Sequence, residues 1–162
     1  KDMKYEYDYP MFSLAVDIAV VDSTSTVLLI RRGGDVNTGK LAFCGGFVDI
    51  NEATKDAAIR ELKEETNLEL TSEDFIECTD LVLDDVNRDP RGRVVSIVYV
   101  VYLNDRFSKY NLKAGDDATS LEFYSIHNDD VKNELAFDHH KIWDYVWNYL
   151  WALKNYMKEL RF

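Results

Sequence analysis

The chain has 162 residues, 46% hydrophobic and 30% charged, with a formal net charge of −11. That length suits one domain of ordinary size, and the composition builds a core, which excludes a disordered tail, a linker or a collagen-like repeat. No run approaches the roughly 18 apolar residues of a membrane span, the polar start lacks a signal h-region, and the acidic balance argues against a surface that coats nucleic acid. Cys44 and Cys78 are too few for a disulfide framework, so both are expected as free thiols of a soluble, cytoplasmic protein. A start at Lys1 rather than Met fits a processed or excised piece: residues 1–10 read as an extension or linker, and residues 11–162 as the domain.

In chain order, Phe12, Leu14, Val16, Ile18 and Val20 alternate with Ser13, Ala15, Asp17 and Ala19, the period of a half-buried strand. DSTST (22–26) is a turn, and Val27 to Ile30 is an apolar run ready to pair back antiparallel. Residues 31–40 are loop. LAFC then leads through Gly45 and Gly46 into FVDI, a strand interrupted by glycines. Ala53 to Thr66 has neither Gly nor Pro and predicts the first helix. Residues 75–83 and 93–103 predict strands joined by VNRDPRG, the second β-branched on both faces and therefore interior. A polar connection, a last strand (LEFYSI) and a closing helix from Asp138 to about Glu159 complete the chain. The expected class is α+β, an α/β/α sandwich with a mixed sheet flanked by helices.

Within the first helix Glu61, Glu64 and Glu65 stand at i, i+3 and i+4, so three carboxylates share an arc of roughly 100°. A solvated acidic face explains any single ExxEE; a site for Mg²⁺ or Mn²⁺, which prefer carboxylate oxygens and keep several waters, explains it functionally. The surroundings decide between them. Gly46, Glu52, Arg60-Glu61-Leu62, Glu64-Glu65, Asn67 and Leu68 closely resemble the Nudix box, GX5EX7REUXEEXGU, over about 23 residues. One position departs: Asn67 stands where the family has Gly, and Asn is the best non-Gly residue for a left-handed helix cap.

The resemblance implies a Nudix fold and hydrolysis of a nucleoside diphosphate linked to another group. It implies a Glu52–Arg60 pair orienting the loop on the helix, and one to three Mg²⁺ (or Mn²⁺) on Glu61, Glu64 and Glu65. Gly45 and Gly46 let the backbone come close, so that a carbonyl joins the metal shell. Glu61, or Asp116 or Asp117 in the AGDDA loop, is the expected general base. NRDPRG (87–92), AGDDA (114–118) and LAFDHH (135–140) resemble segments of the ADP-ribose pyrophosphatase branch. Arg88 and Arg91 are thus candidates for phosphate or ribose oxygens, with Arg31, and Phe12 and Phe123 for stacking on adenine. YEYDYP also resembles the junction in fusions of an NMN adenylyltransferase with a Nudix domain. The alternatives are a Nudix hydrolase of dinucleoside polyphosphates, NADH or oxidised dNTPs, or a Nudix domain that senses ADP-ribose without cleaving it.

The closing helix carries two apolar stripes: Ile142, Val146, Tyr149, Leu150, Leu153 and Met157, and a second of Trp143, Trp147 and Trp151. The first is expected on the sheet. The second is either buried as well, in a groove between sheet and loops, or, as the favoured expectation, set against a partner subunit or a neighbouring domain.

Overall fold

The computed structural model describes residues 4–115 and 117–160. Seven strands, β1 (Ser13–Val21), β2 (Thr26–Arg32), β3 (Leu41–Ala42), β4 (Cys44–Phe47), β5 (Phe75–Leu83), β6 (Val94–Tyr102) and β7 (Ala118–Ser125), form one mixed sheet. The order is β3-β2-β1-β6-β5, with β4 also on β1 and β7 on β2. β1 runs parallel to β6 along its whole length, from Ser13↔Val94 to Val21↔Tyr102, and antiparallel to β4, where Asp17 faces Gly45. Residues 4–12 form neither helix nor strand.

The strand period of two sorts the core into two layers. Val16, Ile18 and Val20 of β1 face helix α1 (Thr54–Thr66) and pack with Ala57, Ala58 and Leu62. Ala19 and Val21 face the opposite way, towards Ile142, Trp143 and Val146 of helix α2 (His140–Glu159). β6 is buried on both sides, Val98 and Val100 under α2 and Tyr99 and Val101 under α1, as its β-branched sequence predicts. The α/β/α layering is therefore present.

α1 ends as its sequence suggests. Asn67 adopts φ 59°, ψ 15°, and its N–H returns to the Lys63 carbonyl. α2 departs from expectation. Ile142, Trp143 and Val146 are fully buried, but Trp147, Tyr149, Trp151, Leu153 and Met157 are exposed. The division runs along the helix axis rather than between two stripes. The buried residues lie in the first two turns of this twenty-residue helix, and Leu153 and Met157 of the first stripe stay exposed beyond them. Trp143, from the second stripe, lies over β1 and β6 instead.

Candidate active site

The sheet ends, α1 and two loops enclose a cleft of about 780 Å³. One wall is acidic. Glu61, Glu64 and Glu65 project into the cleft from α1, where their spacing puts them on one face, and Asp49 and Asp117 join them. The opposite wall carries Arg32 from the end of β2, Arg88 and Arg91 from the loop before β6, and Phe137 and His139 from the entry to α2.

Arg60 organises the acidic wall. Its guanidinium donates to Glu52 from Nε (3.1 Å) and Nη2 (2.6 Å), to Glu61 (2.7 Å) and Glu64 (3.2 Å) from Nη1, and to the Phe47 carbonyl (3.0 Å). It thereby joins the β4–α1 loop to the helix, and this pairing holds the Glu52 carboxyl below its ordinary range. Glu65 lies deeper. Burial, with the Glu61 charge beside it, pushes its carboxyl up to about 7, although the Gly45 N–H opposes this from 3.3 Å. Burial also raises Glu61, against the pull of Arg60.

The two glycines are required by distance. A Cβ on Gly46 would stand 2.4 Å from the Glu61 carboxylate, and one on Gly45 would stand 2.2 Å from the Val16 carbonyl. The β4 backbone can therefore lie directly against the helix carboxylates. Among the described residues, no three His, Cys, Asp or Glu side chains already converge at metal-binding separation, since Arg60 engages both Glu61 and Glu64. The donor set is nonetheless all oxygen, anionic and crowded, and it fits a hard divalent cation that retains water. The loop bearing Asp117 is fixed to this wall: Gly115 N–H bonds the Glu65 carbonyl (3.0 Å), and Lys113 N–H that of Thr66 (2.9 Å). Those bonds satisfy carbonyls at the end of α1. Asp116 lies outside the described residues.

The sequence-predicted ligand residues divide. Arg88 and Arg91 line the cleft, but both are engaged: Arg88, buried, donates twice to Asp138 from Nε and once from Nη2 at 2.8 Å, and Arg91 grips Asp89 at 3.0 and 2.7 Å. Arg31 is directed elsewhere, with two bonds to Glu122 on β7 and one to the Gly39 carbonyl. Phe12 is exposed ahead of β1, and Phe123 packs on Phe107 with ring centroids 5.0 Å apart. None of these three lines the cleft.

Arg32, Phe47 and Phe137, which the sequence did not single out, do line it. Arg32 lies 4.9 Å from the centre of the Phe137 ring, and Arg91 lies 5.0 Å from Phe47 and 5.7 Å from Phe137. These are cation–π distances. Arg32 spends only Nε, on the Val36 carbonyl, and burial together with the Arg91 charge makes its cationic form less favourable. Two guanidiniums therefore approach the same ring. Phe137 holds its place at φ 51°, a left-handed conformation that costs a bulky residue roughly 1–2 kcal/mol. The period of β2 could have found Arg32, because it shares a face with Ile30, which also lines the cleft.

A family model described as the NUDIX domain matches residues 11–144. An ADP-ribose pyrophosphatase of Methanocaldococcus jannaschii is 37% identical over 142 residues, covering 88% of this chain and 77% of that protein. A bifunctional NMN adenylyltransferase/ADP ribose pyrophosphatase of Francisella tularensis, solved with AMP and a manganese ion, is similar in structure. Its TM-score is 0.73 at 26% identity, over 84% of this chain and only 41% of that longer one. The NUDIX domain of Shewanella oneidensis NrtR, solved with ADP ribose, shares the fold with a TM-score of 0.74 at 23% identity, over 89% of this chain and 94% of that one. With the box carboxylates gathered on one wall of the cleft and this family match spanning most of the sequence, the chain belongs to the Nudix family.

Proposed function

We propose that this Nudix pyrophosphohydrolase cleaves ADP-ribose with water to AMP and ribose 5-phosphate, using Mg²⁺, or Mn²⁺ in its place. Nudix hydrolases use divalent metals. Here Glu61, Glu64, Glu65 and the Gly45–Gly46 backbone would hold the ion, which when bound neutralises diphosphate charge and lowers the pKa of water. The observation that carries the reading is the pairing of that acidic wall with an arginine–phenylalanine wall across one cleft. The 37% identical relative supports it.

The chain's own groups divide the work. Arg32 and Arg91 bind the diphosphate, and Phe47 and Phe137 offer ring faces to the base or ribose. Glu61 or Asp117 accepts the proton of the attacking water, whose oxygen joins one phosphorus as the bridging P–O bond breaks. Arg60 and Glu52 keep the β4–α1 loop in register with the helix. Incubation with Mg²⁺ and a panel of ADP-ribose, NADH, diadenosine polyphosphates and 8-oxo-dGTP tests the choice. ADP-ribose should give the highest kcat/KM, and a strong preference for another member of the panel would leave only the Nudix assignment standing.

The exposed half of α2, with Trp147, Trp151, Leu153 and Met157, is proposed to contact a second copy of the chain or a neighbouring domain. Sedimentation at micromolar concentration should report a dimer that Trp147→Glu dissociates. A monomer for both proteins would remove the homodimer.

A further inference from the structure

Behind the Gly45–Gly46 turn runs a chain of buried polar groups. His139, at the entry to α2, is 3% exposed, and Asp17 in the middle of β1 is 8% exposed. The His139 Nδ1 accepts the Phe43 backbone N–H at 3.1 Å. A backbone N–H can only donate, so Nδ1 is the bare nitrogen and the ring proton is on Nε2, which points at Asp17 Oδ1 from 3.3 Å. The other Asp17 oxygen accepts the hydroxyl of buried Ser96 on β6 at 2.6 Å. Asp138, next to His139, anchors Arg88, whose Nη2 is 4.0 Å from Asp17.

These groups meet where the metal-facing backbone is set. Asp17 is the β1 partner of Gly45, and a Cβ on Gly45 would come within 2.7 Å of Asp17 Oδ1. The Gly45 N–H is the donor to Glu65. Phe43 precedes Cys44 and these glycines, and its amide is the group His139 captures. His139, remote in sequence from the box, thus holds the start of the short segment that presents Gly45 to Glu65, and Asp17 meets its ring from β1, directly beside Gly45.

We propose that His139 and Asp17 are positioning residues for the metal site. They lock the Phe43–Gly46 backbone against α1, and so set the divalent-ion affinity through Gly45 and Glu65 rather than by touching the ion. His139 delivers this mainly through Nδ1, because that nitrogen alone grips the segment.

The proposal rests on the metal-site reading above and is tested with Mn²⁺ alone, its binding to the full chain followed by the spectrum of the free ion. Asn at 139 can put an acceptor near the Nδ1 position, whereas Gln can reach Asp17 as Nε2 does but leaves the Phe43 N–H unmet. H139A and H139Q should bind Mn²⁺ roughly tenfold more weakly, within the range seen when outer-shell partners of metal ligands are removed. H139N should recover most of the loss. Should H139A fail to fold, the H139N and H139Q pair decides alone. Equal affinities in that pair, whether both tight or both weak, would overturn the proposal, since position-specific rescue is what separates positioning from packing. If the unaltered protein binds no Mn²⁺, the metal-site reading fails and takes this inference with it; normal binding there with no difference between H139N and H139Q defeats the positioning role only.

Discussion

The two walls of the cleft are built in opposite ways. Apart from Asp117, the acidic wall comes from one thirteen-residue helix and the turn before it, so its geometry is largely local: helical spacing gathers Glu61, Glu64 and Glu65, and Arg60 ties them to Glu52. The basic wall is assembled from three distant segments, with Arg32 leaving β2, Arg91 in the loop before β6 and Phe137 ahead of α2. The first wall is a motif. The second exists only once the sheet has formed, and it is held by stacking and by ion pairs with Asp89 and Asp138. On the proposed function, chemistry common to the family would reside on the local wall and the choice of substrate on the assembled one.

Breaking the local wall should have the largest effect. Glu64→Gln or Glu65→Gln removes a negative ligand at nearly constant size, so kcat should fall by at least ~10²-fold with circular dichroism unchanged, a loss of about 3 kcal/mol in transition-state stabilisation. Near-normal turnover in both variants would disconnect α1 from the metal.

The assembled wall should respond more mildly and in a different parameter. Arg32→Ala should lower kcat/KM for ADP-ribose by ~1–3 kcal/mol through lost charge-assisted hydrogen bonds. Arg91→Ala should do the same, with a lower thermal midpoint as well, because it leaves the buried Asp89 without its partner. Arg31→Ala is the control one residue away. Steady-state kinetics on the three should separate them; an Arg31 defect as large as that of Arg32 would mean the face assignment of β2 is wrong.

The smallest effect sharpens that control. Hydrogen bonds from Arg31, backed by Tyr124 and Ser120, hold the Glu122 carboxyl down at about 2, against an ordinary value of 4.5. A depressed carboxyl stabilises the fold above its unfolded pKa and loses that contribution as pH falls through its folded one. The pair should therefore be fully effective above about pH 5 and fade between there and pH 2. Water at its edge limits its worth to about 1 kcal/mol. The melting temperatures of wild type and Glu122→Gln should differ at pH 6 and converge towards pH 2. A constant gap would show that the ion pair is not its source.

Legibility followed the same division. The strands, α1, its Asn67 cap and the Glu52–Arg60 pair follow from periodicity and from a motif within 23 residues, because each depends on neighbours in the chain. Arg31, the expected ligand, and Arg32 are adjacent and indistinguishable in composition. Only the strand's alternation separates them, placing Arg32 on the face of Ile30. Phe12 and Phe123 were plausible as aromatic residues on strands, whereas the rings that line the cleft, Phe47 and Phe137, sit in a short strand and a strained loop. His139 and Asp17 are 122 positions apart in sequence, and no local pattern announces their meeting. Which turns of α2 are covered is likewise a property of the assembled fold, not of the helix's own stripes.

If the two walls work together, this cleft turns over the diphosphate held between them. Single-turnover incubation of the protein with ADP-ribose and Mg²⁺ in ¹⁸O-labelled water, with products identified by mass, tests it most directly. AMP and ribose 5-phosphate should form in equal amounts, with one labelled oxygen on one of the two phosphates. ADP-ribose bound but recovered intact and unlabelled would contradict it.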